Sequence, residues 1–488
     1  MAAVPRYRPF QFAGFAGAVL LAASAYLGGA QPTLIRRQNV VTIWRGEHGP
    51  LIYLCWLAGT ALMVWAWLAL RDRVPSVRWA LATTGLWLIP LLAAPPLGSR
   101  DVYAYACQGA SYAAGIDPYS NGVEALPCPW LESVSPVWRD TPAPYGPLFL
   151  MLAGAVVGLT GSLTGAIVVF RLVAVLGVAL AAVALPILAG RVGVRPERAV
   201  WLALACPLVG VHLISGAHND ALMIGLLVAG IAVIAARRGR AGALAAGGVL
   251  LGLAVAVKVT AAVVVPFAVL AGNVGPYRVR ELVRTGAWVA GGLLAAVAAV
   301  MLASGLAFGW VGGLTSSGLS VQWTSPTTAV GLFVGYVGRL FGAHVNAVPV
   351  TRTLGVIALA PLLFYLWWRV WRRGVGTEPD PCPPLHGAGL ALASTVVLAP
   401  VFHPWYATWP LALLACTARR TAWFVVPCAV ACFLVLPNGY GLALATRFPG
   451  TLAMTGLVVW LVVWAVRRSR SADGFRIGAR DRSPPVRS

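Results

Sequence analysis

Charged residues are scarce in this chain of 488 residues, and lysine is almost absent. Asp, Glu, Lys and Arg together make up 10% of the sequence, against roughly a quarter in an average soluble protein. Apolar residues make up 59%. One soluble core could not bury them, because such cores stop growing near ~250–300 residues. The composition therefore argues against a soluble globular protein and indicates a chain that is largely solvated by lipid.

Strand-like alternation is also missing from the apolar runs. The runs are about 16–25 residues long and show no period of two, which favours membrane helices over a transmembrane barrel. Backbone groups in lipid must pair within their own segment, which helices achieve. We predict an all-α polytopic membrane protein of about 13–14 transmembrane helices, with a long first outer loop that contains juxtamembrane helices.

Acidic residues are too few to balance arginine, and the formal net charge is +22. In a soluble protein this charge would suggest a nucleic-acid partner. Here most arginines lie in short loops and at the ends of apolar runs, where they set membrane topology. We therefore expect the lipid bilayer, and no nucleic acid, as the partner of this charge.

The arginine clusters divide the chain into four parts. Residues 1–98 hold the N-terminal transmembrane helices, and 99–163 form an extracytoplasmic catalytic loop with a juxtamembrane helix. Residues 164–466 form a transmembrane helical region, and 467–488 a basic, disordered cytoplasmic tail. Placing the clusters in the cytoplasm puts the long loop outside. We expect a multi-pass protein of the plasma membrane with its active site on the extracytoplasmic side.

The eight cysteines form no CxxC pair, which argues against a structural zinc site. Cys107 and Cys128 share the long loop, where they either form a disulfide or remain free thiols. We see no clustered His, Cys and Asp set that would hold a metal, and we expect no cofactor.

The few carboxylates concentrate in one loop. Asp101 follows the third apolar run and lies beside Arg100, near the bilayer surface. A carboxylate positioned there can take a proton from a sugar hydroxyl; the alternative is a simple interfacial Arg–Asp pair. Five of the fourteen acidic residues of the chain fall in this loop: Asp101, Asp117, Glu124, Glu132 and Asp140.

Cations near the outer ends of the apolar runs complement these carboxylates. Lys258 is the only lysine and lies between two short apolar runs, where an ammonium is costly unless it is paired. Arg171 lies inside the fourth span, and His403 precedes an aromatic pair. We predict that these residues, with Arg100, bind a lipid-linked phosphate. Snorkelling, internal ion pairing or, for His403, hydrogen-bonded packing are the alternatives.

Other polar and aromatic residues are predicted to support this site. Asp117 precedes a proline in a turn, and Tyr145 lies in a rigid segment that either lines the site or directs the loop back to the membrane. His218 and Asp220 lie at the outer tip of a hairpin, where they either cap the turn or support the site. The predicted supporting set is Asp117, Tyr119, Tyr145, His218, Asp220, Trp405 and Tyr406.

One reaction suits these parts. The phosphate of a lipid-phospho-sugar is a good leaving group that needs cations and no general acid, while the acceptor hydroxyl needs a base. One carboxylate beside a cationic phosphate pocket is therefore sufficient for sugar transfer.

The chain also resembles a known family at these residues. The similar segments are 99–103, 115–119, 141–147, 216–220 and 403–406, and the resemblance extends from about residue 80 to 470. Together they resemble the actinobacterial polyprenyl-phosphate-mannose-dependent alpha-1,6-mannosyltransferases, which belong to the GT-C superfamily of membrane glycosyltransferases.

The resemblance implies a GT-C-like bundle and a reaction. Mannose would pass from polyprenyl-phosphate-mannose to the alpha-1,6-mannan of lipomannan or lipoarabinomannan, with inversion at the anomeric carbon. Asp101 matches the catalytic aspartate of the first loop in that family. GT-C enzymes often carry an acidic pair there, whereas this chain has Arg100 beside Asp101. Transfer of arabinofuranose from a polyprenyl-phosphate donor, or a lipid or polysaccharide transporter or flippase, are the alternatives.

Overall fold

The chain is almost entirely helical. A computed structural model describes residues 5–32, 39–126, 128–310, 312, 320–378 and 380–480, without the side chains of 469–480. Within these ranges the strand-type pairing consists of one antiparallel bridge, between Val435 and Gly441. The predicted all-α polytopic membrane class is confirmed.

The helices of the first half carry the long loop and the bent helix pair that follows it. Prolines stand in the first turn of several of them, where a missing N–H costs no hydrogen bond. The helices are α1 (Arg8–Gly28), α2 (Val40–Trp44), α3 (Gly49–Ala69), α4 (Val77–Ala93), α5 (Asp101–Ala113), α6 (Pro147–Thr160), α7 (Leu163–Arg191), α8 (Pro196–Leu204), α9 (Asp220–Ala236) and α10 (Ala241–Val257).

The second half continues the bundle. Its helices are α11 (Val265–Gly272), α12 (Val279–Ser304), α13 (Pro326–Leu340), α14 (Val348–Gly374), α15 (Cys382–Leu398), α16 (Thr408–Thr417), α17 (Ala422–Ala431), α18 (Leu442–Ala445) and α19 (Arg447–Arg480). Short irregular helices link them: Pro5–Tyr7, Leu131–Ser133, Pro136–Trp138, Val209–Ser215, Val259–Val264 and Pro404–Ala407.

Fewer helices than predicted are long enough to cross a membrane on their own. In the described ranges six helices of at least 18 residues are sufficiently apolar: α1, α3, α7, α12, α14 and the first part of α19. The pair α8 and Val209–Ser215, bent by 64°, makes a seventh if it is one broken span. Seven further apolar helices have 10–17 residues. The expected 13–14 crossings therefore require the shorter helices to cross as well.

Close backbone contact holds the first helices together. A Cβ on Gly17 of α1 would lie 2.7 Å from the carbonyl oxygen of Gly59 in α3, so glycine allows an approach that no other residue would. Small residues serve this purpose in membranes, where dispersion contacts rather than the hydrophobic effect join helices.

The final helix extends into the segment 467–488, for which the sequence predicts a basic, disordered tail. Helix α19 continues past Val466 to Arg480. The remaining residues of the predicted tail, 481–488, lie outside the described ranges.

The long loop is fastened at both of its ends. Cys107 in α5 is disulfide-bonded to Cys128, with their Cα atoms 5.5 Å apart, so the disulfide alternative is the one observed. At the far end the Gly146 N–H donates to the Val257 carbonyl at 2.9 Å. Because Lys258 directly follows Val257 in the chain, the loop ends beside Lys258.

Candidate active site

Asp101 is the first residue of α5, a helix that is not among the candidate spans. Its side chain is buried, with 7% of the residue exposed. The Trp138 indole donates to Asp101 Oδ1 at 3.1 Å, and His218 Nδ1 lies 3.7 Å from Oδ2. The Ser99 hydroxyl accepts from the Asp101 backbone N–H at 3.1 Å. The carboxylate is therefore hydrogen-bonded by the loop and lies next to the segment before α9.

Burial changes the acidity of this carboxyl group. Desolvation raises the pKa of Asp101 to about 6, although hydrogen bonds from Ser99 and Trp138 and the charge of Lys258 lower it. A carboxylate whose pKa is near the working pH is a stronger base than an exposed aspartate and remains ionised at neutral pH. The Arg–Asp surface pair considered above is not the arrangement found, because Arg100 Nη1 donates to the Ser133 carbonyl at 3.2 Å.

Lys258 and Asp220 form a buried ion pair. Lys258 follows α10, Asp220 begins α9, and Lys258 Nζ lies 2.8 Å from Asp220 Oδ1. The same oxygen accepts from the Trp409 indole at 2.7 Å. The ammonium also faces the rings of Tyr406 and Trp409, at 4.7 and 5.0 Å from their centroids. An ammonium has three N–H donors and Asp220 accepts from one, so donors remain for a ligand.

His218, which lies beside Asp101, is one end of a stack of three rings. His403 stacks on Trp405 with centroids 4.6 Å apart, and Trp405 stacks on His218 at 4.0 Å. Burial, and secondarily the charge of Lys258, lowers the pKa of His403 to about 4. His403 is therefore neutral at pH 7 and can contact a phosphate or hydroxyl only through hydrogen bonds.

Two cavities meet at this stack. The larger, about 490 Å³, contains the predicted residues Asp101, Tyr145, Asp220, Lys258, His403, Trp405 and Tyr406. Most of its remaining wall is apolar. The smaller, about 330 Å³, has hydroxyl and amide side chains of 320–324 and 438–440 on a wall that also includes apolar residues such as Phe402 and Leu434. The residues that line both cavities are Asp101, Trp138, His403 and Trp405.

Arg100 and Arg171 lie outside the larger cavity. Arg100 lines the smaller cavity. Arg171, in α7, lines neither cavity; its guanidinium donates to the main-chain carbonyls of Leu92 at 2.7 Å and Ser215 at 2.9 Å. Of the predicted phosphate-binding residues, the structure brings Lys258 and His403 to the larger cavity. Phosphate binding by Arg171 stays a prediction that this geometry does not favour.

The remaining predicted residues organise the loop. Asp117 accepts from the Tyr119 N–H at 2.9 Å and from the Ser120 hydroxyl at 2.7 Å, which is a turn contact outside both cavities. The Tyr119 hydroxyl donates to the Tyr145 carbonyl at 2.9 Å. Tyr145 itself packs edge-on against Tyr105, 5.2 Å between centroids, and lines the larger cavity.

Three functional neighbours were not foreseen. Trp138 binds the Asp101 carboxylate, and Tyr105 contacts His218 Nδ1 with its hydroxyl at 3.4 Å. Trp409 binds Asp220. It lies three residues after Tyr406, so helical spacing could have predicted that both side chains share one face. Nothing in the sequence distinguishes Trp138 from Trp130, the other tryptophan of the loop.

Metal ligands are not grouped in the described residues. No set of three or more His, Cys, Asp or Glu side chains there could hold an ion. The expectation of transfer without a metal or other cofactor stays a prediction.

Known proteins match nearly the whole chain. Residues 11–273 match the family model described as "Alpha-(1->6)-mannopyranosyltransferase, N-terminal domain" and residues 327–466 match "MptB C-terminal domain". Alpha-(1->6)-mannopyranosyltransferase A of Mycobacterium tuberculosis is 35% identical over 83% of this chain and 80% of its own. A second alpha-(1->6)-mannopyranosyltransferase of that organism is 32% identical over 96% and 88%.

A more distant relative comes from another genus. Alpha-(1->6)-mannopyranosyltransferase B of Corynebacterium glutamicum is 29% identical over 85% of this chain and 74% of its own. No solved structure matches the chain. The extent of the family match and the identity to the mycobacterial relatives show that this chain belongs to the alpha-(1->6)-mannopyranosyltransferase family of membrane glycosyltransferases.

Proposed function

We propose that this protein transfers mannose from polyprenyl-phosphate-mannose to the alpha-1,6-mannan of lipomannan or lipoarabinomannan, on the extracytoplasmic side of the plasma membrane. The observation that carries the proposal is the meeting, at the buried carboxylate of Asp101, of a strongly apolar cavity and a second cavity whose wall carries more polar side chains. A donor with a lipid tail and an acceptor with many hydroxyls need two such environments.

The larger cavity suits the lipid donor. Val356 and Leu359 of α14 and Leu398 of α15 form part of its wall. Other side chains of α14, such as Ile357 at 62% exposure, face outward where lipid would lie. A polyprenyl chain could therefore lie along α14 while its phosphate reaches Lys258.

The smaller cavity suits the acceptor. Its wall includes Ser320, Gln322, Thr324 and Asn438, and the indole of Trp138 is exposed to it. Hydroxyl and amide groups bind sugar hydroxyls, and aromatic faces pack on sugar rings. The end of a mannan chain in this cavity would present a hydroxyl to Asp101.

The proposed reaction is a single displacement. Asp101 takes the proton of the acceptor hydroxyl as its oxygen attacks the anomeric carbon of the donor mannose. The bond from that carbon to the phosphate oxygen breaks, and the phosphate leaves with the electron pair. Attack from the face opposite the phosphate inverts the anomeric configuration.

Lys258 stabilises the leaving phosphate in this scheme. Its ammonium keeps N–H donors besides the one to Asp220, and the apolar cavity strengthens the interaction. The neutral His403 adds a hydrogen bond. The names of the relatives favour mannose over arabinofuranose as the transferred sugar.

The first test is Asp101→Asn in the purified full-length protein. The variant is assayed with polyprenyl-phosphate-mannose and a synthetic alpha-1,6-mannoside acceptor. We expect transfer to fall by about 10²–10⁴-fold, the range of general-base catalysis, with an unchanged amount of folded protein. Glu132→Gln removes one exposed carboxylate from the same loop and is the matched control.

Two outcomes contradict the proposal. Near-normal transfer by Asp101→Asn would remove Asp101 as the base. Transfer by the wild type from a soluble nucleotide-sugar donor, and none from the lipid-linked donor, would remove the assignment of the apolar cavity.

A further inference from the structure

A third cavity lies beside the proposed donor cavity and is rich in arginine. It has a volume of about 500 Å³ and lies between α13, α14 and the start of α19. Arg339, Arg352 and Arg447 line it together with Tyr336 and Asn346. None of the described residues that line it is acidic. The charges of Arg339 and Arg447 meet no acidic side chain among the described residues of this wall, so the cavity attracts an anion.

The three arginines are differently constrained. Arg352 is half-buried and donates to the Thr328 hydroxyl at 2.8 Å and to the Ser320 carbonyl. Arg339 lies over the ring of Tyr336, 4.8 Å from its centroid. Arg447 is exposed at the first turn of α19, where helix N–H groups also favour an anion. Within the described ranges neither Arg339 nor Arg447 takes part in an ion pair.

The surroundings of the cavity are apolar and outward-facing. Leu340 and Phe341, at the end of α13, are 83% and 82% exposed, and Phe448 beside Arg447 is 58% exposed. Phe448 contacts Tyr336 with ring centroids 5.3 Å apart. Large apolar side chains next to arginines at helix ends are typical of the boundary between lipid tails and head groups.

Hydrogen bonds place this cavity at the same end of the bundle as Asp101. Thr328, which accepts from Arg352, donates to the Pro400 carbonyl at 2.7 Å. Pro400 lines the cavity that contains Asp101. On α14, Arg352 faces the arginine-rich cavity and Val356, one turn later, faces the proposed donor cavity.

We propose that the arginine-rich cavity binds the phosphate group of an anionic membrane lipid. Planar guanidinium groups bind phosphate oxygens bidentately, and the exposed Leu340, Phe341 and Phe448 would contact the acyl or prenyl chain. This site is separate from the proposed donor and acceptor cavities. Two lipids share the required chemistry, a phospholipid of the leaflet and a polyprenyl phosphate released by the reaction.

The test measures lipid retention by the full-length protein. Wild type and the double variant Arg339→Gln/Arg447→Gln are placed in phosphatidylcholine nanodiscs containing either phosphatidylglycerol or polyprenyl phosphate. Bound lipid is counted by native mass spectrometry. We expect the double variant to bind its lipid about 30-fold more weakly. This is the affinity lost when two arginines near a membrane surface no longer attract an anionic lipid. The lipid retained more tightly by wild type identifies the source.

Controls separate this site from general surface charge and from folding. Arg45→Gln removes an exposed arginine from the loop before α3, outside all three cavities; it should bind like wild type. Arg339→Lys/Arg447→Lys keeps the charge and should recover most of the affinity. Equal retention by wild type and the Gln variant, or an equal loss in Arg45→Gln, would overturn the proposal. Displacement of both lipids by inorganic phosphate alone would overturn the lipid assignment.

Discussion

Replacing Trp138 by phenylalanine tests whether the ionisation of Asp101 limits the reaction. The substitution removes the indole N–H that donates to Asp101 Oδ1 at 3.1 Å and keeps an aromatic ring against both cavities. A hydrogen bond to a carboxylate stabilises its charged form, so its loss raises the pKa of Asp101. The base then requires a higher pH to be ionised, and the acid limb of the rate profile moves toward higher pH.

The size of this effect follows from the burial of Asp101. Desolvation already raises the pKa of Asp101 to about 6, with Trp138 among the groups that oppose it. A hydrogen bond to a charged group contributes about 1.5–3 kcal/mol and one pKa unit equals about 1.4 kcal/mol, so the pKa of Asp101 rises by about one to two. At pH 7 the ionised fraction falls from about nine-tenths to between about a half and a tenth.

The assay is the pH dependence of kcat/KM for mannosyl transfer. We expect wild type to reach half its maximum near pH 6 and Trp138→Phe to reach it near pH 7–8, by the same estimate. At pH 7 the variant is about two- to tenfold slower, and most of the rate returns at alkaline pH. Trp130→Phe, in the same loop and away from Asp101, should keep the acid limb of wild type. A uniform loss of rate at every pH in Trp138→Phe would refute the reasoning, because it would assign Trp138 to acceptor packing alone.

One further substitution tests Lys258 in the larger cavity, and another tests the anchor of the loop beside it. Lys258→Ala should weaken use of the lipid donor. It should also cost about 3–5 kcal/mol of stability, because it leaves Asp220 buried and unpaired. Adding Asp220→Asn should restore thermal stability without restoring donor affinity. Recovery of both properties would show that Lys258 serves only as a structural partner. Gly146→Ala should destabilise by about 1–3 kcal/mol in thermal unfolding, since its Cβ would lie 2.1 Å from the Ala256 carbonyl oxygen. Gly158→Ala, with nothing within 4 Å of the new Cβ, is its control, and equal stability of the two would contradict the close contact.

The helical class and several site residues were predictable for the same physical reason. Lipid excludes charge, so each charged residue that remains in an apolar chain needs a partner or a function. That scarcity indicates Asp101 and Lys258, whereas Asp220 was predicted from its place at the outer tip of a hairpin. The structure places all three around one cavity of about 490 Å³.

Pairings and helix lengths were less predictable. Lys258 and Asp220 lie 38 residues apart, one after the end of α10 and the other at the start of α9, so no local pattern indicates their contact. Trp138 looks like any loop tryptophan until the loop closes over Asp101. The number of spans depends on helices of 10–17 residues, for which hydropathy alone does not decide whether they cross the bilayer.

Arg171 and Lys258 show what the sequence alone cannot distinguish. Both are cations in apolar surroundings, and both were predicted to bind phosphate. Arg171 donates to the carbonyls of Leu92, near the end of α4, and Ser215, the last residue of Val209–Ser215. Carbonyls at helix ends lack intrahelical partners, and a guanidinium satisfies several at once. Since Asp101 follows α4 and His218 follows Ser215, these hydrogen bonds fix the two segments whose side chains meet at 3.7 Å. Lys258 instead pairs with a carboxylate inside a cavity, where its remaining N–H groups can reach a ligand.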